Sequence, residues 1–384
     1  MTIPLNPLEA LKLGQWFKLI CGASYQDVSN VRNLSLVYSL AGTDCIDVAA
    51  DLAVVQAAIE GIAAAKSVAQ DSWIRSPWLM VSFNDGQDPH FRKAWFDINN
   101  CPTDCPRPCE RICPADAILP LSQRHSGTRL TLTGVTAERC YGCGRCLSVC
   151  PYGLLEERAF NVAAGAIAPT LLPYIDAIEI HTQIGRQVEF KKLWHQLAPY
   201  LSQLKLVAVS CPDTGPQSNS ITDYLAHLYQ LMEPKPKQLL WQTDGRPMSG
   251  DIGKGTTRAT IRLAEKVLNA RLPGYVQLAG GTNDYTVAKL RSLNLLKVPH
   301  HCLKSSQTET PSIHGIAYGS YARRLVTLGD SYLEHEPEQL ERQVNLAREL
   351  VGQIKPGVRS RPSVLPFLKQ HTCPEKDSAA TVPP

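Results

Sequence analysis

The segment Cys140-Tyr-Gly-Cys143-Gly-Arg-Cys146-Leu-Ser-Val-Cys150-Pro151 spaces four thiols at gaps of two, two and three residues before a proline. This is the ligand run of bacterial ferredoxins, in which three thiolates hold one iron–sulfur cube and the fourth reaches to a second cluster. Gly142 and Gly144, small residues between the ligands, let backbone amides approach the sulfurs. A second run lies upstream: Cys101, Cys105, Cys109 and Cys113-Pro114. It shares the C-x3-C-P ending, but its two earlier gaps are three residues long. Such spacing would align all four thiols along one helix face. Pro102, Pro106 and Pro108 oppose that helix by removing donors and crowding the preceding turn, so a wrapped loop is expected instead. The crossed-ligand rule assigns Cys101, Cys105, Cys109 and Cys150 to one 4Fe-4S cluster, and Cys113, Cys140, Cys143 and Cys146 to another. The altered spacing leaves a 3Fe-4S form open for the first. Ala-Asp-Ala-Ile after Pro114 and Tyr-Gly-Leu-Leu after Pro151 make the halves an approximate repeat, with a short strand expected at Arg129–Thr133 and Val135.

Two other chemistries use cysteine. Structural zinc takes two C-x2-C pairs separated by a spacer, not three cysteines at successive gaps followed by C-P. A disulfide framework belongs to oxidising compartments. The N-terminus MTIPLNPLEALKLG lacks a basic start and a long apolar core, so it does not read as a secretory signal. Eight of the 13 cysteines fall between positions 101 and 150, which is what a cluster-binding segment requires. Cys21, Cys45 and Cys211 sit in apolar stretches and read as core. Cys302 follows His300-His301, and Cys373 lies in a proline-rich tail.

A scaffold must hold these runs. At 44% hydrophobic and 19% charged, the 384 residues suit a globular protein with a sizeable core. The formal charge of +4 is spread along the chain, so nucleic-acid binding has no electrostatic support. No transmembrane segment is expected, and the location reads as cytoplasmic. Apolar runs at Phe17–Ala23, Cys45–Ala50, Trp78–Phe83, Ala177–Thr182, Leu204–Cys211, Gln238–Asp244, Gly274–Gly280 and Gly315–Ser320 read as strands. Helical patterns follow them, including 27–40, a start at Asp51, Glu189–Leu201 and Pro337–Ile354. Alternating units of this kind build parallel sheets. Eight of them predict an α/β fold, a (β/α)8 or TIM-like barrel, with a doubly wound open sheet as the other solution. The domains are then 1–96 for the first part of the barrel and 97–160 for an inserted ferredoxin-like α+β unit. The second part of the barrel takes 161–354, and a disordered tail takes 355–384.

Loops after barrel strands form the face where binding groups gather. The insertion follows the third strand, which puts its clusters beside that mouth. Lys18, Asp47, Glu179, His181, Gln242, Asp244 and Gln277 lie near strand ends, as a mouth pocket or as buried network members. Gly280-Gly281-Thr282 and Gly319-Ser320-Tyr321 fall where many barrels hold a phosphate, which would suit FMN. Gly250-Asp-Ile-Gly-Lys254-Gly fails as a P-loop, because Met248 replaces the first glycine and Gly255 follows the lysine.

Phe17–Ser24, Asp44–Asp51, Gln277–Asn283 and the two cysteine runs together resemble the cyanobacterial light-dependent period (LdpA) family. The resemblance covers nearly the whole chain outside the tail. It implies an iron–sulfur protein of the circadian clock input pathway that reports photosynthetic redox state to clock-associated proteins. Redox partners, an electron donor or a quinone-linked one, and a location at the thylakoid periphery belong to the same implication. The residues themselves carry the reading to a one-electron redox module joined to an α/β domain. Two functions fit such a module. One is a sensor without catalytic residues; the other is an oxidoreductase whose clusters pass electrons to a flavin or another cofactor in the mouth.

Overall fold

The computed structural model describes residues 5–69, 74–86, 91–120, 133–159, 164–212, 219–245, 253, 255–297, 311–329, 331–359 and 363. Ten strands are described: β1 (Trp16–Ile20), β2 (Cys45–Ala49), β3 (Trp78–Asn84), β4 (Arg92–Trp95), β5 (Glu156–Ala159), β6 (Ala177–His181), β7 (Leu206–Pro212), β8 (Leu239–Asp244), β9 (Tyr275–Ala279) and β10 (Gly315–Tyr318). Eight of them close a parallel barrel in the order β1-β10-β9-β8-β7-β6-β3-β2, with helices around it. That is the (β/α)8 architecture, and the open sheet is ruled out because β1 pairs with both β2 and β10.

The barrel strands are buried on both faces, and their outward faces are apolar because helices cover them. Outward residues such as Phe17, Leu19, Ile46, Val48, Ile178 and Val209 pack under the helices in one continuous core. Inward residues are layered. The lowest layer is apolar and includes Leu11, Trp16, Cys45, Met80, Ala208 and Leu240, with the helix Pro7–Lys12 supplying Leu11. The layer above it is polar, holding Lys18, Asp47, Glu179, Gln242 and Gln277, all buried.

Local chemistry starts and stops the helices where expected. Asp27 caps the helix Val28–Ala41 by accepting from the Asn30 amide at 3.0 Å, and Gly42 ends it in the left-handed conformation. Asp51 accepts from the amides of Ala53 and Val54 at the head of the helix Leu52–Ala69. Gly61 lets these two helices touch, since a Cβ there would stand 2.1 Å from the Arg32 carbonyl oxygen. The helix Leu52–Ala69 has 18 residues and a mean hydropathy of 1.4, enough by length and composition to cross a membrane. Its buried Val54, Val55, Ala58 and Ala65 instead belong to the barrel's outer core. Pro199 closes the helix Gln187–Leu197 into a 3-10 turn, earlier than the expected end at Leu201.

Between β3 and β6 the chain leaves the barrel. β4 and β5 pair antiparallel at the two ends of this excursion. Two short helices, Pro108–Ile112 and Arg145–Val149, lie between them. The expected loop through the first run is therefore partly helical. Pro108 sits at the first helical position, where its missing N–H costs nothing, so it starts the helix that Pro102 and Pro106 prevent earlier. Thr133 and Val135 form isolated bridges with Asp97 and Ile118, while Arg129 and its neighbours lie outside the described residues. The tail reading also moves. Lys355 is buried and its Nζ pairs with Asp44 at 2.5 Å, so residues 355–359 belong to the barrel. Cys373, His300, His301, Cys302 and Lys254 lie outside the described residues.

Candidate metal centre

The two cysteine runs share one local geometry. Each has a five-residue helix whose second residue is a cysteine, Cys109 or Cys146, and which ends on a cysteine, Cys113 or Cys150. Each helix follows a left-handed residue, Arg107 at φ 50° or Gly144 at φ 70°. Three residues beyond the last cysteine the chain turns left-handed again, at Asp116 and Gly153. That turn aims an amide back at the sulfur. The Ala117 amide donates to Cys113 Sγ at 3.3 Å, and the Leu154 amide to Cys150 Sγ at 3.4 Å. The approximate sequence repeat is a geometric one.

The thiols sort across the runs. Cys113, Cys140, Cys143 and Cys146 line a single cavity with Tyr141, Ala94 and Ile118. Burial and the neighbouring Cys143, Cys140 and Cys113 push the Cys146 thiol up to about 12. In the other group Cys101 lies within electrostatic reach of Cys105, and Cys109 within reach of Cys150 and Cys101. Cys150 behaves differently. Burial opposes its ionisation, but the amides of Leu154, Tyr152, Leu155 and Gly153 outweigh burial and hold the thiol below its ordinary range. Thiolates are the ligands of iron, and amides pointed at them stabilise the charged form. All the described cysteines are free thiols. Among the described residues no three His, Cys, Asp or Glu side chains close on a single metal ion. The Cys113 group instead stands around a cavity, as the donors of a multinuclear cluster do.

Polar contacts differ between the groups. The Ala94 amide of β4 donates to Cys140 Sγ at 3.3 Å. Arg107 donates through Nη1 to Cys101 Sγ at 3.7 Å, through Nε to Glu110 at 2.8 Å, and through Nη2 to the Leu119 carbonyl.

The barrel mouth is built from the polar layer and the strand ends above it. Lys18 Nζ donates to Glu179, to Asp47 at 2.9 Å and to Gln242 Oε1 at 3.0 Å. Gln242 donates to Glu179 at 2.6 Å, Gln277 to Gln242 at 2.5 Å, and Trp16 to Gln277 at 2.9 Å. His181 Nε2 lies 2.9 Å from Glu179. Burial raises the Glu179 carboxyl, but Lys18 and His181 outweigh it and hold the group down at about 2. Burial and Glu179 raise Asp47 despite its lysine partner. Asp47, Glu179, His181, Gln242 and Asp244 line a cavity of about 50 Å³. Lys18 and Gln277 lie beneath it in the network. Gly280-Gly281-Thr282 and Gly319-Ser320-Tyr321 form its rim. Thr282 already donates its hydroxyl to the Ala317 carbonyl at 2.7 Å, so that donor is committed within the barrel.

Tyr141 joins the two sites, for its side chain lines both the four-cysteine cavity and the barrel-mouth cavity. Arg323 lies 4.2 Å from the Tyr141 ring centroid and donates to the Ile20 carbonyl at the end of β1 at 2.8 Å. Sequence reasoning missed Tyr141, Arg323 and Arg107. Tyr141 and Arg107 stood inside the cysteine runs, where a position between ligands is itself a signal. Arg323 had none.

With this geometry in place, the comparisons with known proteins decide the family. Residues 101–161 match the family model described as the LdpA Fe-S cluster-binding domain, and residues 172–353 match the light dependent period A C-terminal domain. A curated relative from Synechococcus elongatus, light dependent period A, is 50% identical over 371 residues, covering 94% of this chain and 97% of its own. The chain belongs to the light-dependent period A family. As a member of that family it is an iron–sulfur protein, and the cysteine segment is its cluster-binding region. The C-terminal model spans β6 to the helix Pro337–Val351, the second part of the barrel.

Proposed function

We propose that this protein is a redox sensor in the light-dependent control of the circadian period. Its cluster-binding region is read as a ferredoxin-like unit holding two 4Fe-4S clusters. The observation that carries this reading is the sorting of the thiols across the runs. Cys113 stands with Cys140, Cys143 and Cys146, and Cys150 with the Cys101 run. Crossed ligation of this kind is the signature of two-cluster ferredoxins. A cluster supplies one-electron chemistry. The chain's own residues supply thiolates, the amides of Ala94, Ala117 and Leu154 that stabilise them, and the Tyr141–Arg323 contact to the barrel. A change of cluster charge would act on that contact, and so on the surface a partner reads. Clock-associated proteins and an electron donor or quinone-linked partner are the partners proposed, and a cytoplasmic location at the thylakoid periphery goes with them.

The barrel cavity gives no support to a bound flavin. At about 50 Å³ it is far below the roughly 300 Å³ or more that drug-sized ligands occupy. The proposal therefore assigns no flavin and no catalytic residue.

Anaerobic purification tests the reading. Iron and sulfide analysis should give eight of each per chain, with a cluster-only visible spectrum and no flavin released by acid. Electron paramagnetic resonance of Cys101→Ser and Cys140→Ser should each perturb a different cluster signal. Cys140→Ser with both signals intact would refute the ligand map, and stoichiometric flavin would favour an oxidoreductase.

A further inference from the structure

Besides the Tyr141–Arg323 contact, the cluster segment meets the barrel at a second place. Residues 137–139, which lead into Cys140, lie against the loop that follows β1. The Gln26 backbone amide donates to the Glu138 carbonyl at 2.9 Å. Lys93 Nζ donates to the Ala137 carbonyl at 2.6 Å and to Gln26 Oε1 at 2.7 Å. Next along β4, the Ala94 amide donates to Cys140 Sγ at 3.3 Å, and the Cys140 amide donates to the Thr136 carbonyl at 3.2 Å. Adjacent residues of β4 thus hold the thiol and Gln26.

Gln26 carries the connection onward, because its Nε2 donates to Asp51 Oδ2 at 3.1 Å. Its partners fix the orientation of the side-chain amide: an ammonium only donates and a carboxylate only accepts, so Oε1 faces Lys93 and Nε2 faces Asp51. The other oxygen of Asp51 accepts from the amides of Ala53 and Val54 and caps the helix Leu52–Ala69. A looser contact runs in parallel, with Arg139 Nε 3.7 Å from Asp27, the cap of the helix Val28–Ala41. The first turn of the helix Leu52–Ala69 exposes Ala53 and Gln56 at the protein surface.

A carboxylate cap orders a helix start only while it is held in place, and helix ends are the first parts of a helix to open. Resting on the cluster reading proposed above, we infer that Gln26 is a latch that couples occupancy of the Cys113–Cys140–Cys143–Cys146 site to the order of the first turn of the helix Leu52–Ala69. Thiols bound to a cluster anchor Cys140 and the stretch before it, and the latch is closed. When the stretch loosens, Lys93 and Glu138 release Gln26, and Asp51 loses a partner. The state of the site is then displayed on the outside of the barrel, away from its strands.

The experiment is hydrogen exchange of the full chain, loaded with its clusters and after anaerobic chelation, read at the amides of Ala53, Val54 and Val55. In the native protein chelation should speed exchange there about fivefold, the change that accompanies loss of a helix cap, while residues 58–69 keep their rate. In Gln26→Ala the loaded protein should already exchange at the faster rate, and chelation should add nothing. A merely structural Gln26 would raise both rates and keep the ratio between them, and that result would overturn the inference. So would native amides indifferent to chelation. The helix Thr257–Asn269 follows β8, opposite β2 in the barrel, and is the control. Equal acceleration of its first turn would mean general loosening and would also overturn the latch. Should Gln26→Ala fail to fold, Gln26→Glu decides, since it keeps an acceptor for Lys93 but sets a carboxylate against Asp51. Loss of the ratio supports the latch, and its retention overturns it. Iron and sulfide analysis of the native chain separates the two readings: a chain that binds no cluster sinks the cluster reading itself, and a loaded chain whose helix start ignores chelation sinks only this inference.

Discussion

The barrel and the insertion solve the same problem, a stable interior, with different materials. In the barrel the core is aliphatic and aromatic, wrapped around a polar layer whose members satisfy one another. Among the described residues, the core of the insertion has ten buried members, of which four are cysteines: Cys101, Cys109, Cys140 and Cys146. The remainder, such as Phe96, Ile98, Ile118 and Val135, is a small core for the 68 residues from Arg92 to Ala159. Packing alone supplies the barrel's stability, and in the insertion a cluster bound by the thiols would add to it. A region whose fold depends on its cluster can report the state of that cluster.

The sharpest way to break this contrast is to remove the clusters. Metal-ligand binding is folding energy in small metal-dependent domains. After anaerobic chelation, hydrogen exchange should show residues 92–159 losing protection while the eight barrel strands keep theirs. An insertion that stays protected without iron would end the comparison.

Next in size is the barrel's polar layer. Lys18→Met leaves Asp47 and Glu179 buried without their shared cation, and should cost about 3–5 kcal/mol of stability by denaturant unfolding. The cluster signals of the surviving folded protein should not change. A cluster lost before the barrel unfolds would show that the two regions are not independent.

A smaller effect belongs to pH. Burial and Lys297 depress His314 to about 4, and its Nδ1 accepts from the Val276 amide at 3.1 Å. The folded state then binds fewer protons than the unfolded chain between about pH 6.5 and 4. Stability from this group is complete above about pH 6.5 and is lost as pH falls towards 4, up to about 3 kcal/mol. His314→Gln should flatten that part of the barrel's acid-unfolding curve. An unchanged curve would mean that other groups carry the acid sensitivity.

The smallest change tests the joint. Arg323→Ala removes both the contact with Tyr141 and the bond to the Ile20 carbonyl. Such pairs contribute about 1 kcal/mol. The expected outcome is faster exchange at the seam around residues 20–23 and 141, with the barrel strands themselves unaltered.

Much of the architecture was legible before any coordinates. All eight barrel strands were read within a few residues of their ends, because strands buried on both faces are continuous apolar runs bounded by Gly, Pro and Asp. The antiparallel pair β4–β5 was not read. Arg92–Trp95 and Glu156–Ala159 are short, charged and far apart in sequence, so neither shows a periodicity of its own. Pro108 misled by residue type: proline forbids a helix interior but favours a helix start, and only the fold shows which applies. The polar residues of the strand ends were legible individually. Their division into a buried network and a cavity lining was not, because it depends on barrel register. Gln242 pairs with Gln277, and Ser82 with Glu179, across neighbouring strands.

The sequence by itself determined the ligand chemistry and the repeating βα pattern. Both are local: thiol spacing fixes which chain segment can wrap a cluster, and apolar periodicity fixes which segments are buried. Tertiary structure decided how the thiols sort across the two runs, where the insertion meets the barrel, and what lies at each sulfur. Cys113 and Cys140 are 27 positions apart in the chain, and Tyr141 and Arg323 are 182 apart. Their meeting depends on closure of the barrel and on the return of the chain through β5. The position of Arg107 against Cys101 is the smallest example. Its residue type is written in the sequence, but its left-handed backbone, which turns the guanidinium onto the sulfur, exists only in the folded loop.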